Sequence, residues 1–405
     1  MRKFNIITLG CKVNQYESEA ISAMLIKKGF IPVDQNEAAD LCIINTCAVT
    51  GKASMQSRQA LRKQIKLNPK AQVIATGCYA KTSPDEIKNI HGIQDIDILL
   101  TDEFPQIPLG KRTRPFLKIQ DGCDAFCTYC IVPHARGRSR SMPIDDVISN
   151  IKSIKYAGYH EVVLSGIHLG RYGYDFVPKE NLYKLLSIIE KLKLIDRVRL
   201  SSIEPLELSD DIIKIAASSD IICRHFHIPL QSGDDLILKR MNRPYDRNYF
   251  KDLVLEIHNL IPDASIGVDT LIGFPGETET AFENTFSLIS ELPISYLHVF
   301  PFSPRKGTPA FDFPNKISNE IIKDRTQKMR ILGKFKKKEF YRKMIGLTVE
   351  ALVEGKREHL NNYLTGITSN YIKIFIEGED SLKNNIVKVK IDRVDENNEV
   401  WGQLV

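Results

Sequence analysis

The sequence predicts an α/β chain in three parts: a parallel-sheet α/β domain, a partial (β/α)6 barrel, and a small β-barrel. Three observations carry this. Strand-length apolar runs alternate with helix-like segments through the first hundred residues, which implies a parallel sheet. The alternation restarts at Pro115 and makes six strand–helix steps in about 200 residues, fewer than the eight of a closed barrel. Beyond Leu347 the apolar pattern changes to period two, as in short antiparallel strands. The expected boundaries are 1–105, 106–341 and 342–405.

In the first part, strands are expected at Phe4–Leu9, Leu41–Thr46 and Val73–Thr76, with a further short strand near Ile96–Leu100. Helices are expected at Tyr16–Lys28, Ser54–Lys66 and Pro84–Ile90, and residues 105–110 read as a linker. The second part is expected to run through strand Phe116–Gln120, helix Pro143–Tyr156, strand Glu161–Ser165, helix Leu182–Leu192 and strand Val198–Ser202. It continues with helix Ser209–Ala217, strand His225–Leu230, a helical stretch Asp234–Ile261, strand Ser265–Ile272, helix Ala281–Leu292 and strand Tyr296–Phe300. A long basic helix over 317–345, with Ile321, Ile322, Met329, Ile331 and Leu332 as its apolar positions, precedes the terminal strands.

The chain has 405 residues and a net charge of +6, which points only weakly to an anionic partner. The distribution says more. Residues 51–70 hold six cations and no acid, and residues 323–343 hold ten cations against Asp324 and Glu339. Such runs favour a phosphate-bearing partner. No apolar run reaches the ~18 residues of a membrane span, and the start of the chain is too short in apolar core for a signal peptide. A cytoplasmic protein is therefore expected.

Eight cysteines in such a chain are expected as free thiols. Cys123, Cys127 and Cys130 place three of them in one loop. Structural zinc wants four ligands, usually from two Cys-x-x-Cys pairs, and no second pair exists. Three close thiolates suit a 4Fe-4S cluster that leaves one iron without a protein ligand. Cys11, Cys47 and Cys78 each follow one of the first three strands. Parallel strands end on one edge, where ligands bind, so these three converge on a second three-thiolate site. Cys42 and Cys223 lie within apolar surroundings and read as packing residues. At the barrel strand ends, His168 taken singly reads as a structural histidine and Gly273–Gly276 as a turn, but together they stand at the barrel mouth beside the cysteine loop, where active sites of this architecture lie.

The run Cys123–Cys130, with Ile131-Val132-Pro133 and Arg136-Gly137-Arg138-Ser139 behind it, resembles the radical S-adenosylmethionine (SAM) enzymes. The Cys11/Cys47/Cys78 domain before it, and a terminal barrel similar to the RNA-binding TRAM module, resemble the methylthiotransferase family. Leu9–Ser18 is similar to the branch acting on threonylcarbamoyladenosine in tRNA. The resemblance implies a central barrel of radical SAM type and two 4Fe-4S clusters, one on Cys123, Cys127 and Cys130 and one on Cys11, Cys47 and Cys78. It implies SAM as cofactor, with Tyr129 near its adenine, Gly166 where many relatives carry Gly-Gly-Glu, Ser202 and Glu204 at its polar atoms, and Gln231 and Asp269 at SAM or substrate. The implied partners are a tRNA anticodon stem-loop, held by the terminal barrel and the basic segments, and an electron donor such as flavodoxin or ferredoxin; a monomer is expected. Sister activities on isopentenyladenosine in tRNA or a ribosomal-protein aspartate share this chemistry. A non-catalytic iron–sulfur RNA-binding protein would leave the open-iron triplet unused.

Overall fold

In the computed structural model, residues 2–96, 104, 112–358 and 362–405 are described. The expected linker 105–110 and most of the expected strand near 96–100 lie outside them.

The first domain is a five-stranded parallel sheet with strand order β2-β1-β3-β4-β5. Its strands are β1 (Lys3–Thr8), β2 (Ile31–Pro32), β3 (Leu41–Thr46), β4 (Gln72–Thr76) and β5 (Asp95–Ile96). Every residue of β3 is buried, as a central strand covered on both faces requires. Between the strands run α1 (Lys12–Lys27), α2 (Gly51–Leu67), α3 (Gly77–Thr82) and α4 (Pro84–Lys88). The Thr50 hydroxyl accepts a bond from the Ala53 amide at 3.1 Å and so starts α2 a turn before the expected Ser54. Helix α4 is shorter than expected, ending at Lys88.

Six parallel strands build the second part: β6 (Phe116–Lys118), β9 (Glu161–Ser165), β10 (Arg197–Leu200), β11 (His225–Gln231), β12 (Ser265–Ile272) and β13 (Tyr296–Pro301). They form two sheets of three, β10-β9-β6 and β11-β12-β13, joined where Val198 bridges Ile222. No pairing joins β6 to β13 among the described residues, so the barrel is open on that side. The expected strand Phe116–Gln120 breaks after Lys118. Its last residues form β7 (Gln120–Asp121), which pairs antiparallel with β8 (Arg140–Ser141) and closes the base of the cysteine loop. Helices α5 (Val132–Arg136), α6 (Ile144–Tyr156), α7 (Leu182–Leu192) and α8 (Asp210–Ser218) connect the strands of this half. The helical stretch expected at 234–261 is two helices, α9 (Asp235–Arg240) and α10 (Arg247–Leu260). Between them the chain turns at Asn242, whose φ is +59°, and at Pro244, which cannot continue a helix.

The main core lies between the outer faces of these strands and their helices, with Leu164, Leu185, Ile213, Ile228, Phe250, Val268 and Leu288 all buried. Tyr16 of α1 belongs to the same core, so the first domain packs along edge strand β6. Inside the barrel, Gly267 makes room for Tyr296: a Cβ there would stand 2.0 Å from Tyr296 Cζ. Gly267→Ala is therefore expected to destabilise the protein by about 1–3 kcal/mol through overpacking; an unchanged urea midpoint would contradict that packing.

After α11 (Glu279–Glu291) and β13 comes α12 (Asn319–Lys343), 25 residues long and capped by Ser318. Met329 and Leu332 are buried against the barrel, but Ile321 and Ile331 are exposed, contrary to expectation. The last part closes as a five-stranded barrel, ordered β14-β15-β16-β18-β17. Its strands are β14 (Thr348–Arg357), β15 (Leu364–Thr368), β16 (Lys373–Ile376), β17 (Ile386–Val394) and β18 (Val400–Leu404). Its β15–β16 turn is tied to the central barrel: Arg199, buried and 2.7 Å from Glu161, also donates to the Thr368 and Ser369 carbonyls at 3.0 and 2.9 Å.

Candidate metal centres and active site

Cys11 caps α1, Cys47 follows β3 and Cys78 lies in α3, so all three stand at the carboxyl edge of the first sheet. The turn into Cys11 needs glycine: Gly10 has φ +100°, and a Cβ on it would sit 2.9 Å from Cys47 Sγ. Gly77, φ +86°, meets the Asn45 side chain in the same way. Asn14 fastens the edge by donating to the carbonyls of Leu9 at 2.7 Å and Thr46 at 3.1 Å. Burial pushes the Cys78 thiol up to about 11, although the neighbouring Arg136 guanidinium pulls the other way. Burial raises Cys47 as well. A metal takes cysteines as thiolates, so burial of these thiols couples metal binding to proton release.

The second trio sits in the loop that β7 and β8 close. The Ala125 amide donates to Cys123 Sγ at 3.4 Å, and Arg243 donates to Cys127 Sγ at 3.2 Å. His168 Nδ1 lies 3.3 Å from Cys123 Sγ, and its Nε2 lies 2.8 Å from Glu207. The turn between α9 and α10 clamps the loop. Thr128 donates to the carbonyls of Arg240 and Met241, and Asn242 Nδ2 donates to Ala125 and Phe126. Phe126 itself is held at φ +46°, a strained value for a bulky residue. Beside the loop is a cavity of about 410 Å³ lined by Cys127, His168, Glu204, Asn242, Arg243 and Tyr245.

Both sets of thiols fit an iron–sulfur cubane better than a single ion. A tetrahedral zinc with Zn–S near ~2.3 Å needs its donors about 3.8 Å apart. Among the described residues, one trio of potential ligand atoms lies within 4.8 Å of one another, and it is His227, Asp269 and His298 rather than any cysteines. A cubane takes each thiolate on a different iron and so accepts wider spacing. The N–H donors aimed at Cys78, Cys123 and Cys127 favour thiolates that carry a cluster's charge.

Arg136, just behind the second trio, joins the two sites. Its Nε donates to Cys78 Sγ at 3.3 Å, and its Nη2 donates to Asn14 at 2.6 Å and Glu17 at 3.0 Å. Lys118 completes a buried group of two cations and two carboxylates, 3.1 Å from Glu17 and 3.0 Å from Asp121. Asp121 in turn accepts from the Gly122 amide at the root of the cysteine loop.

The remaining residues expected at SAM are distributed as follows. Glu204 lines the cavity beside Cys127 and pairs with Arg243. Gly166 rests on Gln120, with room for no side chain: a Cβ would lie 2.9 Å from Gln120 Oε1. Tyr129 is half-buried, edge-on to Phe274 at 6.4 Å between ring centroids. Ser202 is exposed. Gln231 stands on a bulge at the end of β11, with φ +66°. Asp269 lies inside the barrel, 2.7 Å from His227 and 3.2 Å from His298. Burial pushes its carboxyl up, but the hydrogen bonds with the two histidines outweigh this and hold it down to about 2. That bonding accounts for the His–Asp–His cluster without a metal. Cys42 and Cys223 are buried, as expected of packing residues. Arg243 and Asn242 were not singled out from the sequence; Pro244 was the available signal that the helix breaks there.

Residues 3–100 match a family described as uncharacterized protein family UPF0004, and residues 117–289 match the radical SAM superfamily. Among curated proteins, the threonylcarbamoyladenosine tRNA methylthiotransferase MtaB of Bacillus subtilis is 38% identical, over 95% of this chain and 92% of its own. The chain belongs to the radical SAM methylthiotransferase family. MtaB of Aquifex aeolicus is 36% identical over 92% of the chain and 96% of its own. The tRNA-2-methylthio-N(6)-dimethylallyladenosine synthase of Clostridium botulinum is 34% identical over 96% of the chain and 94% of its own. Among solved structures, the radical SAM methyltransferase TsrM of Kitasatospora setae, with cobalamin and a [4Fe-4S] cluster bound, superposes with TM-score 0.56 at 13% identity. That match covers 76% of this chain and 77% of TsrM, and it shows a shared fold. The radical SAM superfamily match gives the methylthiotransferase chain its 4Fe-4S and SAM chemistry. No helix among the described residues is long and apolar enough to cross a membrane.

Proposed function

We propose that this methylthiotransferase converts threonylcarbamoyladenosine in tRNA to its 2-methylthio derivative, with one 4Fe-4S cluster on Cys123, Cys127 and Cys130 and a second on Cys11, Cys47 and Cys78. The observation that carries the substrate assignment is the 38% identity to MtaB across 95% of the chain, both cysteine trios lying within the matched domains.

Carbon 2 of adenine is an unactivated C–H position, beyond the reach of ordinary acid–base groups, so the hard chemistry belongs to the cofactors. When bound, they supply a radical able to take that hydrogen and the sulfur that replaces it. The chain's own residues hold, orient and seal. Cys123, Cys127 and Cys130 would hold one cluster and Cys11, Cys47 and Cys78 the other, and with three thiolates each they would leave room for an exogenous ligand. Arg243 places a positive charge on Cys127 while its pairing with Glu204 keeps that carboxylate beside the cavity. Arg136 does the same for Cys78 and fixes the first domain against the cysteine loop. Gly166, Tyr129 and Ser202 are assigned to SAM, and Gln231 and Asp269 to SAM or the substrate base. The base leaves its stack to reach the barrel, and the terminal barrel with the cations of α2 and α12 holds the anticodon arm by its phosphates. The reading includes a flavodoxin- or ferredoxin-type electron donor, a monomer and a cytoplasmic setting.

Nucleoside mass spectrometry of total tRNA from cells with and without the gene tests the substrate. Loss of 2-methylthio-threonylcarbamoyladenosine with accumulation of its unthiolated parent is expected, and plasmid-borne protein should restore it. Loss of the dimethylallyladenosine product instead would assign the chain to its sister branch. Unaltered tRNA nucleosides would point to a protein substrate.

A further inference from the structure

Where the three parts of the chain meet there is a second cavity, of about 230 Å³. Five cations line it, Lys12, Arg112, Arg114, Arg199 and Lys356, against one carboxylate, Glu354. Most of these charges already have partners. Arg112 lies 2.5 Å from Glu19, Arg114 lies 3.0 Å from Glu354, and Arg199 lies 2.7 Å from the fully buried Glu161. Lys12 has no acidic partner among the described residues, and it is the residue immediately after Cys11. An ammonium set among guanidinium groups, with a wall of the cavity formed by Phe116 and Val163, is a place for an anion of amino-acid size.

The cavity adjoins the side chains that fill the barrel, sharing Arg199 and Tyr371 with them. Its floor is Tyr371 from the β15–β16 turn, whose ring lies 4.4 Å from that of His225. His225 is 2.8 Å from the Tyr296 hydroxyl, which is 3.1 Å from His227, and His227 reaches Asp269. A chain of packed side chains thus links Tyr371, on the lining of this cavity with Lys12, to Asp269, assigned above to SAM or the substrate base. In threonylcarbamoyladenosine the substituent on N6 ends in a free carboxylate, the one formal charge of the modified base. We infer that Lys12, supported by Arg114, binds this carboxylate and sets the enzyme's choice among modified adenosines; this rests on the function proposed above.

The test uses two anticodon stem-loop RNAs, one carrying threonylcarbamoyladenosine and one carrying the same nucleoside with its carboxylate converted to the neutral carboxamide. kcat/KM is measured on both with the fully reconstituted wild type, Lys12→Gln and Lys12→Arg. The wild type should prefer the carboxylate substrate by roughly 10- to 100-fold, the weight of a charge-assisted contact. Lys12→Gln should lose most of that preference through KM, and Lys12→Arg should keep it. The preference is a ratio within one protein, so partial loss of a cluster cancels. A preference undiminished in Lys12→Gln, or its absence in the wild type, overturns the assignment and leaves the cavity to an RNA phosphate or to structure. Turnover of neither stem-loop by the wild type rejects the proposed function, and the carboxylate site with it.

Discussion

The Cys11→Ala protein is expected to cleave SAM at a rate close to that of the wild type yet to form no methylthiolated base, whereas Cys123→Ala is expected to do neither. The asymmetry follows from where the two residues stand. Cys123 belongs to the loop closed by β7 and β8, beside the cavity that Cys127, His168 and Glu204 line, and its Sγ lies 3.3 Å from His168. Cys11 stands at the edge of a separate sheet, held by Gly10 and Asn14, and shares no hydrogen bond with that loop. Loss of an outer partner of a metal ligand typically costs 10–100-fold, and loss of the ligand itself should cost more, so the missing activities should fall by more than about 100-fold. The measurements are 5′-deoxyadenosine and methylthio-nucleoside formation in one anaerobic reaction with dithionite. Equal loss of both products in the two variants would show that the trios do not divide the work in this way.

Arg136→Met is expected to have the largest effect on stability. The Arg136 side chain is 1% exposed and contacts Glu17, Asp121, Asn14 and Cys78. Removing it leaves buried Glu17 facing Lys118 alone, and buried Asp121 facing Lys118 and the more exposed Arg140. Breaking a buried ion pair from one side costs about 3–5 kcal/mol because a charge is left uncompensated. In a chain of this length that lowers Tm by roughly 3–6 °C. Iron should leave the Cys11/Cys47/Cys78 site first, since that site loses both a donor and its attachment to the cysteine loop. Arg138→Ala serves as the comparison: its side chain is 83% exposed and its pairing with Asp124 is a surface one, so the change should stay within about 0.5 kcal/mol. A similar Tm for the two variants would contradict the bridging role of Arg136.

Much of the fold was legible because its strands are apolar runs and its helices are amphipathic. Helix Leu182–Leu192 and strand Ser265–Ile272 fall at the expected residues. The cysteine positions were readable for a similar reason, since each ends a strand or crowds a short loop. What local pattern could not give was anything made by tertiary pairing. The stretch 234–261 has helix-forming residues on both sides of the turn, and the break matters because its backbone and Asn242 hold the cysteine loop. Ile321 and Ile331 of α12 have the period of a buried face, but β13 covers only part of that helix. The apolar alternation of the strand Leu364–Thr368 is interrupted by Gly366, whose Cβ position would meet Ala351 on the neighbouring strand β14. Arg136 and Arg243 were invisible as site residues because their roles depend on sulfur atoms and carboxylates distant in the chain, and Lys12 because its cavity is built from all three parts of the chain.

The whole account stands on two cubanes in one polypeptide. Anaerobic reconstitution followed by iron quantitation and Mössbauer spectroscopy addresses that directly. About eight irons per chain, in two cubane signals of which Cys11→Ala removes one and Cys123→Ala the other, is the expected outcome. Four irons per chain in a single cubane, or a spectrum in which a fourth cysteine completes either one, would contradict it.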